Sequence, residues 1–162
     1  MGYLDFYRWV CYNNEEYVRR FSPKKDLITL NTAIILSGGV GTRMGTACPK
    51  QYLMVREQPV IAYCLDIFEK HSQIDKIVVV AGDEWQPFIQ EWIDKKGITK
   101  FFDFPPAGRT RQHSIFNGLE VSAKCTPDEG VVIIHDAARP LVSEETVIEV
   151  KRSALLYGAA AC

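Results

Sequence analysis

The chain has 162 residues, which is enough for one domain with a sizeable buried core. Hydrophobic residues make up 47% and charged residues 24% of it, as in ordinary globular proteins. The net charge of −1 argues against broad binding to nucleic acid or to a membrane surface, which needs a basic excess. The sequence also contains no apolar run of the ~18 residues that a membrane span requires.

The five cysteines are scattered and form no CxxC pair. This pattern favours reduced thiols over a disulfide framework and argues against a structural zinc site. The N-terminus carries Asp5 and Arg8 among its aromatic residues and so lacks the apolar core of a signal peptide. We therefore expect a cytoplasmic protein.

Residues 1–30 differ in composition from the rest of the chain because they are crowded with aromatic side chains. Asn13 and Glu16 have the spacing of a capping box, and Ser22-Pro23 would end the helix that follows. We predict a helical N-terminal extension over residues 1–30. It either docks a partner or covers a surface of its own domain, and the second interpretation is favoured.

Strands and helices alternate from Thr32 onward. We predict buried strands at Thr32–Leu36, Ile74–Ala81, Ile98–Phe104 and Val131–Ile134, and helices at Pro59–His71, Asp83–Lys96, Thr110–Lys124 and Ser143–Tyr157. Asp83 with Gln86 is expected to cap the second helix, and Gly97 to end it. Ala159–Cys162 resembles the start of another strand, so residues 31–162 are expected to form a nucleotide-binding α/β domain truncated at its C-terminus.

This alternation predicts an α/β fold, namely a three-layer, Rossmann-like, mostly parallel sheet with helices on both faces. Ligands in such sheets bind outside the carboxyl ends of the strands. Polar clusters follow three predicted strands, at Ser37–Lys50, Pro105–Ser114 and His135–Pro140. We expect all three clusters to meet at one edge of the sheet.

The first cluster, SGGVGTRMGTACPK, is a glycine-rich loop. Gly38, Gly39 and Gly41 let the backbone come close to a ligand, while Arg43 and Lys50 supply positive charge. Such a loop after a strand suits a polyphosphate. It lacks the Gly-Lys-Ser/Thr of a P-loop and the third glycine of a dinucleotide fingerprint. An ordinary turn with two solvated cations is an equally open alternative from the glycines alone.

The second cluster, PPAGRTRQHS, carries Gly108, Arg111 and Ser114 but no carboxylate. Ser114 falls in the first turn of a helix, which favours a phosphate or nucleoside contact, although solvated arginines at a helix start remain an alternative.

In the third cluster, HDAARP, Asp136 follows a buried strand and faces the glycine loop. Magnesium takes one or two carboxylates and fills its remaining positions with phosphates and water, so Asp136 is a candidate ligand. Alternatively, Asp136 pairs with Arg139 and holds the turn. His135 is expected to be structural.

SGGVGTRMG with CPKQYL, GRTRQHSIFNGL and HDAARP, in this order, resemble the cytidylyltransferases of the methylerythritol-phosphate type over Thr32–Cys162. The resemblance implies transfer of CMP from CTP to a polyol phosphate with release of pyrophosphate, a magnesium cofactor, and a homodimer for a full-length chain. It also implies that Arg43 and Lys50 stabilise the transition state.

The resemblance assigns nucleotide binding to further residues at matching positions: Ser37, Gly38, Gly39, Gly41, Gly108, Arg111, Ser114, Asp136, Ala137 and Arg139. Of these, Gly108 and Ser114 would contact the cytidine, and Asp136 the metal and phosphates. Ser37 takes a position that is often alanine in the family.

Three interpretations of function stay open. A methylerythritol-phosphate cytidylyltransferase of isoprenoid precursor synthesis is favoured by HDAARP. A ribitol-5-phosphate cytidylyltransferase for cell-surface polymer synthesis is favoured by GRTRQHSIFNGL and the N-terminal segment. A non-catalytic CTP-binding fragment is the alternative suggested by the end at Cys162.

Overall fold

The structure is a computed structural model that describes residues 30–39 and 48–161. Its elements are β1 (Thr32–Leu36), a 3-10 helix (Lys50–Tyr52), β2 (Met54–Val55), β3 (Gln58–Pro59), α1 (Val60–Lys70), β4 (Lys76–Val80), α2 (Gln86–Lys96), β5 (Phe101–Asp103), α3 (Arg111–Ser122), β6 (Val132–Asp136) and α4 (Glu144–Tyr157). The predicted alternation of strands and helices is confirmed. The helices predicted before Leu30 lie outside the described residues.

Four strands form one parallel sheet in the order β5-β4-β1-β6. The chain winds from β1 outward to β4 and β5, and then returns past them to β6. Right-handed crossovers place α1 and α2 on one face of the sheet and α3 on the other. In agreement, α1 contacts α2, while α3 contacts β1, β4 and β6. The predicted three-layer, Rossmann-like fold is therefore confirmed.

The two central strands supply the core of the sheet. Ile34, Val78 and Val80 are fully buried, and residues of α3 and the neighbouring strands pack against them. Gly118 lets α3 come close, because a Cβ at this position would lie 2.7 Å from Ile34 Cγ2. This close packing of α3 on the sheet determines where the first turn of α3 lies along the direction of the strands.

Helix ends follow the local sequence signals in most cases. Gly97 ends α2 with a φ of 63°, and Ser143 caps α4 by accepting a hydrogen bond from the Thr146 amide. The predicted cap of α2 by Asp83 is wrong. The N-cap is Trp85, which the Gly82–Trp85 turn places ahead of the helix, and the Asp83 carboxylate accepts from Gln86 Nε2 instead.

Short elements differ most from expectation. β5 is shorter than predicted, and residues 159–161 lie outside any strand. β2 and β3 form an unpredicted antiparallel hairpin whose turn residues, Arg56 and Glu57, have φ values of 48° and 71°. Glycine or asparagine usually marks such a turn, so the sequence carried no signal for it.

The residues from Leu30 to Val142 form one compact unit, and the segment from Ser143 onward belongs to a second. All three predicted polar clusters fall within the first unit. Within the described ranges, no helix is both long enough and apolar enough to cross a membrane.

Candidate nucleotide-binding site

The point where the winding direction of the sheet reverses lies between β1 and β6. Leu36 and Asp136, the last residues of these strands, are register partners. The Ala137 amide donates to the Leu36 carbonyl at 2.9 Å, and the Ser37 amide donates to the Val80 carbonyl at 2.8 Å. Because open α/β sheets bind ligands at such reversals, the first and third clusters begin side by side at the expected place.

The structure describes the two ends of the glycine-rich loop. Ser37 is buried, and its hydroxyl donates to the Tyr52 hydroxyl, so this side chain points into the protein. Lys50 is exposed at the first residue of the 3-10 helix. Gly41 and Arg43 lie outside the described residues, and their predicted roles stay predictions.

The second cluster packs directly against the first. A Cβ at Gly38 would lie 2.5 Å from the Ala107 Cβ, so only glycine lets these loops approach this closely. The Gly108 amide donates to the buried Ser114 hydroxyl at 3.0 Å, which ties the loop to the first turn of α3. Thr110 accepts from the His113 amide and so caps α3. The amino end of α3 is thereby held beside the glycine loop.

Asp136 joins the second and third clusters. Its Oδ1 lies 3.2 Å from a guanidinium nitrogen of Arg111, and its Oδ2 lies 3.2 Å from Nε of Arg139. The Arg139 pair was one of the alternatives drawn from the sequence, whereas the Arg111 pair was not foreseen. Both arginine side chains remain mostly exposed, at 60% and 73%. They are therefore positioned by the carboxylate and still accessible to an anion.

His135 and Ala137 serve the fold around Asp136. The His135 ring packs edge-on against Phe68, and its Nε2 lies 2.9 Å from the Arg139 carbonyl. Burial lowers the pKa of His135, which favours the neutral ring. Ala137 is buried, and its carbonyl accepts a hydrogen bond from the Cys64 thiol. These contacts agree with the structural role expected for His135.

The described loops at this edge of the sheet carry several exposed, positively charged side chains. The exposed cations described in the three clusters are Lys50, Arg109, Arg111 and Arg139. Asp83 and Glu84, after β4, are the acidic residues in the loop on the other side of β1. The positive side of the edge is therefore the one between β1, β6 and α3.

The family resemblance implies a magnesium ion. The side chains that could bind it can be compared with the ligands that magnesium requires. No group of three or more His, Cys, Asp or Glu side chains that could hold a metal occurs among residues 30–39 and 48–161. Magnesium needs only one or two carboxylates when substrate phosphates complete its shell. A single accessible carboxylate, Asp136, is thus compatible with a magnesium ion that arrives with a nucleotide.

Two residues that contact the glycine loop were not predicted as site residues. Gln51 and Tyr52 both reach back to the backbone of the loop from the 3-10 helix. Both residues directly follow Lys50 in the CPKQYL motif, which carries the family resemblance. This position was the sequence feature that could have identified them.

Residues 31–161 match the model of the IspD family, described as 2-C-methyl-D-erythritol 4-phosphate cytidylyltransferase. A protein of that description from Clostridium botulinum (strain Loch Maree / Type A3) is 41% identical over 132 residues, which are 82% of this chain and 56% of the relative. A ribitol-5-phosphate cytidylyltransferase from Streptococcus agalactiae serotype Ia is 40% identical over 119 residues, which are 73% of this chain and 50% of the relative.

Solved structures agree with these sequence matches. A crystal structure of 4-diphosphocytidyl-2C-methyl-D-erythritol synthase from Anaerococcus prevotii superposes with a TM-score of 0.62 at 26% identity, covering 78% of this chain and 51% of that one. The chain spans about half the length of the curated relatives it matches. The family match covers most of the chain, and so the chain belongs to the IspD family of cytidylyltransferases.

Proposed function

We propose that the chain carries the nucleotide-binding part of a CTP-dependent cytidylyltransferase, which transfers CMP from CTP to a polyol phosphate. The observation that carries the proposal is the meeting of three loops at one end of β1 and β6. There the guanidinium of Arg111 pairs with the carboxylate of Asp136. Positive side chains around an accessible carboxylate suit a triphosphate that arrives with magnesium.

The reaction requires alignment rather than acid–base chemistry. An oxygen of the acceptor phosphate attacks the α-phosphorus of CTP, and the bond from this phosphorus to the oxygen of the β-phosphate breaks. Pyrophosphate leaves with that bond pair. Because the acceptor phosphate is already ionised at neutral pH, no general base is needed. The protein must hold the reactants in line and neutralise charge.

The predicted site residues have the following roles in this scheme. Lys50 and Arg43 neutralise charge that develops on the phosphates, and Ser37, Gly38, Gly39 and Gly41 belong to the loop that wraps them. Gly108 binds the nucleotide from the loop before α3, Arg111 and Ser114 bind it from the first turn of α3, and Arg139 lines its side next to β6. The buried Ala137 supports that side from beneath, through the bond of its carbonyl to the Cys64 thiol. Asp136 would hold a magnesium ion, which supplies further positive charge to the phosphates when bound.

The proposal also extends to the identity of the polyol phosphate that accepts CMP. 2-C-methyl-D-erythritol 4-phosphate is the first candidate, because HDAARP resembles the enzymes that use it. Ribitol 5-phosphate is the second candidate, because relatives with this activity in their names are as similar to the chain as the others. Both are polyol phosphates, so the chemistry at the nucleotide is the same.

Pyrophosphate release tests the proposal. We expect release with CTP and one of the two acceptors, and much less with ATP. Lys50→Ala removes a charge contact worth ~3 kcal/mol in the transition state, so turnover should fall by about two or more orders of magnitude. Lys124→Ala, an exposed lysine just beyond the far end of α3, is the matched control. Equal activity of both variants would contradict the role of Lys50.

A further inference from the structure

Gln51 makes an uncommon contact with the glycine loop. It is the second residue of the 3-10 helix and only 3% exposed. Its Nε2 lies 2.8 Å from the Ser37 carbonyl oxygen and 2.8 Å from the Gly39 carbonyl oxygen. An amide nitrogen carries two hydrogens, so one side chain donates to both carbonyls. Two points of the loop are thus fixed to one group.

Tyr52 reinforces one of these points. Its hydroxyl donates to the Ser37 carbonyl at 2.9 Å and accepts from the Ser37 hydroxyl at 2.8 Å. Its ring stacks on Trp85 with the ring centroids 4.1 Å apart. A phenol is protonated at neutral pH, so the hydroxyl is a donor there, and burial raises the pKa of Tyr52 further above its ordinary value.

These bonds set the direction of the backbone. The carbonyl and the following amide of a planar trans peptide point in opposite directions. Because the Ser37 carbonyl is held towards Gln51 and Tyr52, the Gly38 amide points away from them. The same contact keeps the backbone of Lys50, the neighbour of Gln51, beside the start of the loop.

We infer that Gln51 is a positioning residue, which holds residues 37–39 at the start of the glycine loop and Lys50 in one geometry for binding the phosphates of a nucleotide. The inference rests on the proposed function, because the nucleotide is CTP. Gln51 does not touch the nucleotide in this scheme. Its buried amide acts through the backbone of Ser37 and Gly39.

Two substitutions of Gln51 separate positioning from mere packing. Gln51→Leu fills the same space with a side chain of similar size but removes both N–H donors. CTP affinity should therefore fall about tenfold or more, where tenfold corresponds to 1.4 kcal/mol. Gln51→Glu has the same shape but presents a carboxylate to two carbonyl oxygens. Protonation restores one donor, so its CTP affinity should rise relative to wild type as the pH falls from about 8 to about 5.5.

Asn31→Leu is the matched control at the other end of β1. Asn31 is also 3% exposed, its Nδ2 donates to the Gln73 carbonyl, and its Oδ1 accepts from the Val131 amide. This substitution removes two side-chain hydrogen bonds of one buried amide group, as Gln51→Leu does, but at the amino ends of the strands rather than their carboxyl ends. We expect a comparable loss of melting temperature with CTP affinity within about twofold of wild type.

The experiment is a calorimetric titration with CTP and magnesium, joined to backbone 15N relaxation of Gly38 and Gly39 without nucleotide. The order parameters should be near 0.85, roughly the value of a rigid backbone, in wild type and Asn31→Leu, and below about 0.6 in Gln51→Leu. Unchanged order parameters, or unchanged CTP affinity in Gln51→Leu, would overturn the inference. If Gln51→Leu loses backbone order at Gly38 and Gly39 but the wild type does not bind CTP, the positioning role of Gln51 is supported and the proposed function is overturned.

Discussion

Arg111, the first residue of α3, lies 3.2 Å from the carboxylate of Asp136, the last residue of β6. The two residues are 25 positions apart in the chain and belong to different sequence clusters. Their contact joins the second and third clusters beside Leu36, the last residue of β1 and the register partner of Asp136. The guanidinium of Arg111 is held beside a carboxylate and is 60% exposed, so an anion can still reach it. We propose that it contacts a phosphate of the nucleotide.

Arg111→Ala should weaken CTP binding by about tenfold or more, because a charge-assisted contact with phosphate is lost. The free energy of unfolding should change by less than about 1 kcal/mol, since exposed ion pairs contribute little to stability. Calorimetry and thermal unfolding measure the two quantities. Arg109→Ala, an exposed arginine two positions earlier, is the matched control and should bind CTP more tightly than Arg111→Ala. Equal affinities would contradict the role of Arg111.

Asp136→Asn should remove most of the magnesium dependence of CTP binding. The amide keeps the shape of the side chain but loses the negative charge that holds the cation. In wild type, added magnesium is expected to strengthen CTP binding, and titrations with and without magnesium measure the gain. A variant that retains the full gain would show that Asp136 is not the ligand.

Gly38→Ala and Gly39→Ala should differ in stability although they are neighbours. A Cβ at Gly38 would lie 2.5 Å from the Ala107 Cβ, whereas no atom of residues 30–39 or 48–161 lies within 4 Å of a Cβ at Gly39. We expect the first substitution to cost about 1–3 kcal/mol of unfolding free energy, as overpacking does, and the second to cost clearly less. Denaturant unfolding measures both. Equal costs would mean that the two loops do not pack as described.

Cys64 should make stability depend on alkaline pH. Burial raises the pKa of this thiol from 9.0 to about 12. The unfolded chain therefore loses the proton first as the pH rises, and the contribution of the thiol to stability is present below about pH 9 and is lost progressively above it. The melting temperature of wild type should fall more steeply between about pH 8 and pH 10.5 than that of Cys64→Ala. Parallel curves would contradict a buried, protonated thiol.

The order of the elements and the convergence of the three polar clusters could be predicted because their signals are local. Apolar runs marked β1, β4 and β6, and glycine marked the end of α2. Parallel strands bring their carboxyl ends together, so the convergence of the clusters followed from the alternation alone.

Contacts between residues that are far apart in the sequence could not be predicted in the same way. Gln51 donates hydrogen bonds to carbonyl groups 12 and 14 positions earlier in the chain. The residues next to Gln51 in the sequence do not indicate which way its side chain points. The pair between Arg111 and Asp136 depends on how closely α3 packs on the sheet. The Arg56-Glu57 turn was missed as part of a hairpin because its left-handed backbone lies on residues that rarely adopt it.

A calorimetric titration with CTP and magnesium, with ATP as competitor, shows directly whether the edge between β1 and β6 binds CTP. We expect saturable binding of one CTP that ATP does not displace at equal concentration, and weaker binding by Lys50→Ala. Absence of saturable binding by the folded protein, or displacement of CTP by an equal concentration of ATP, would contradict it.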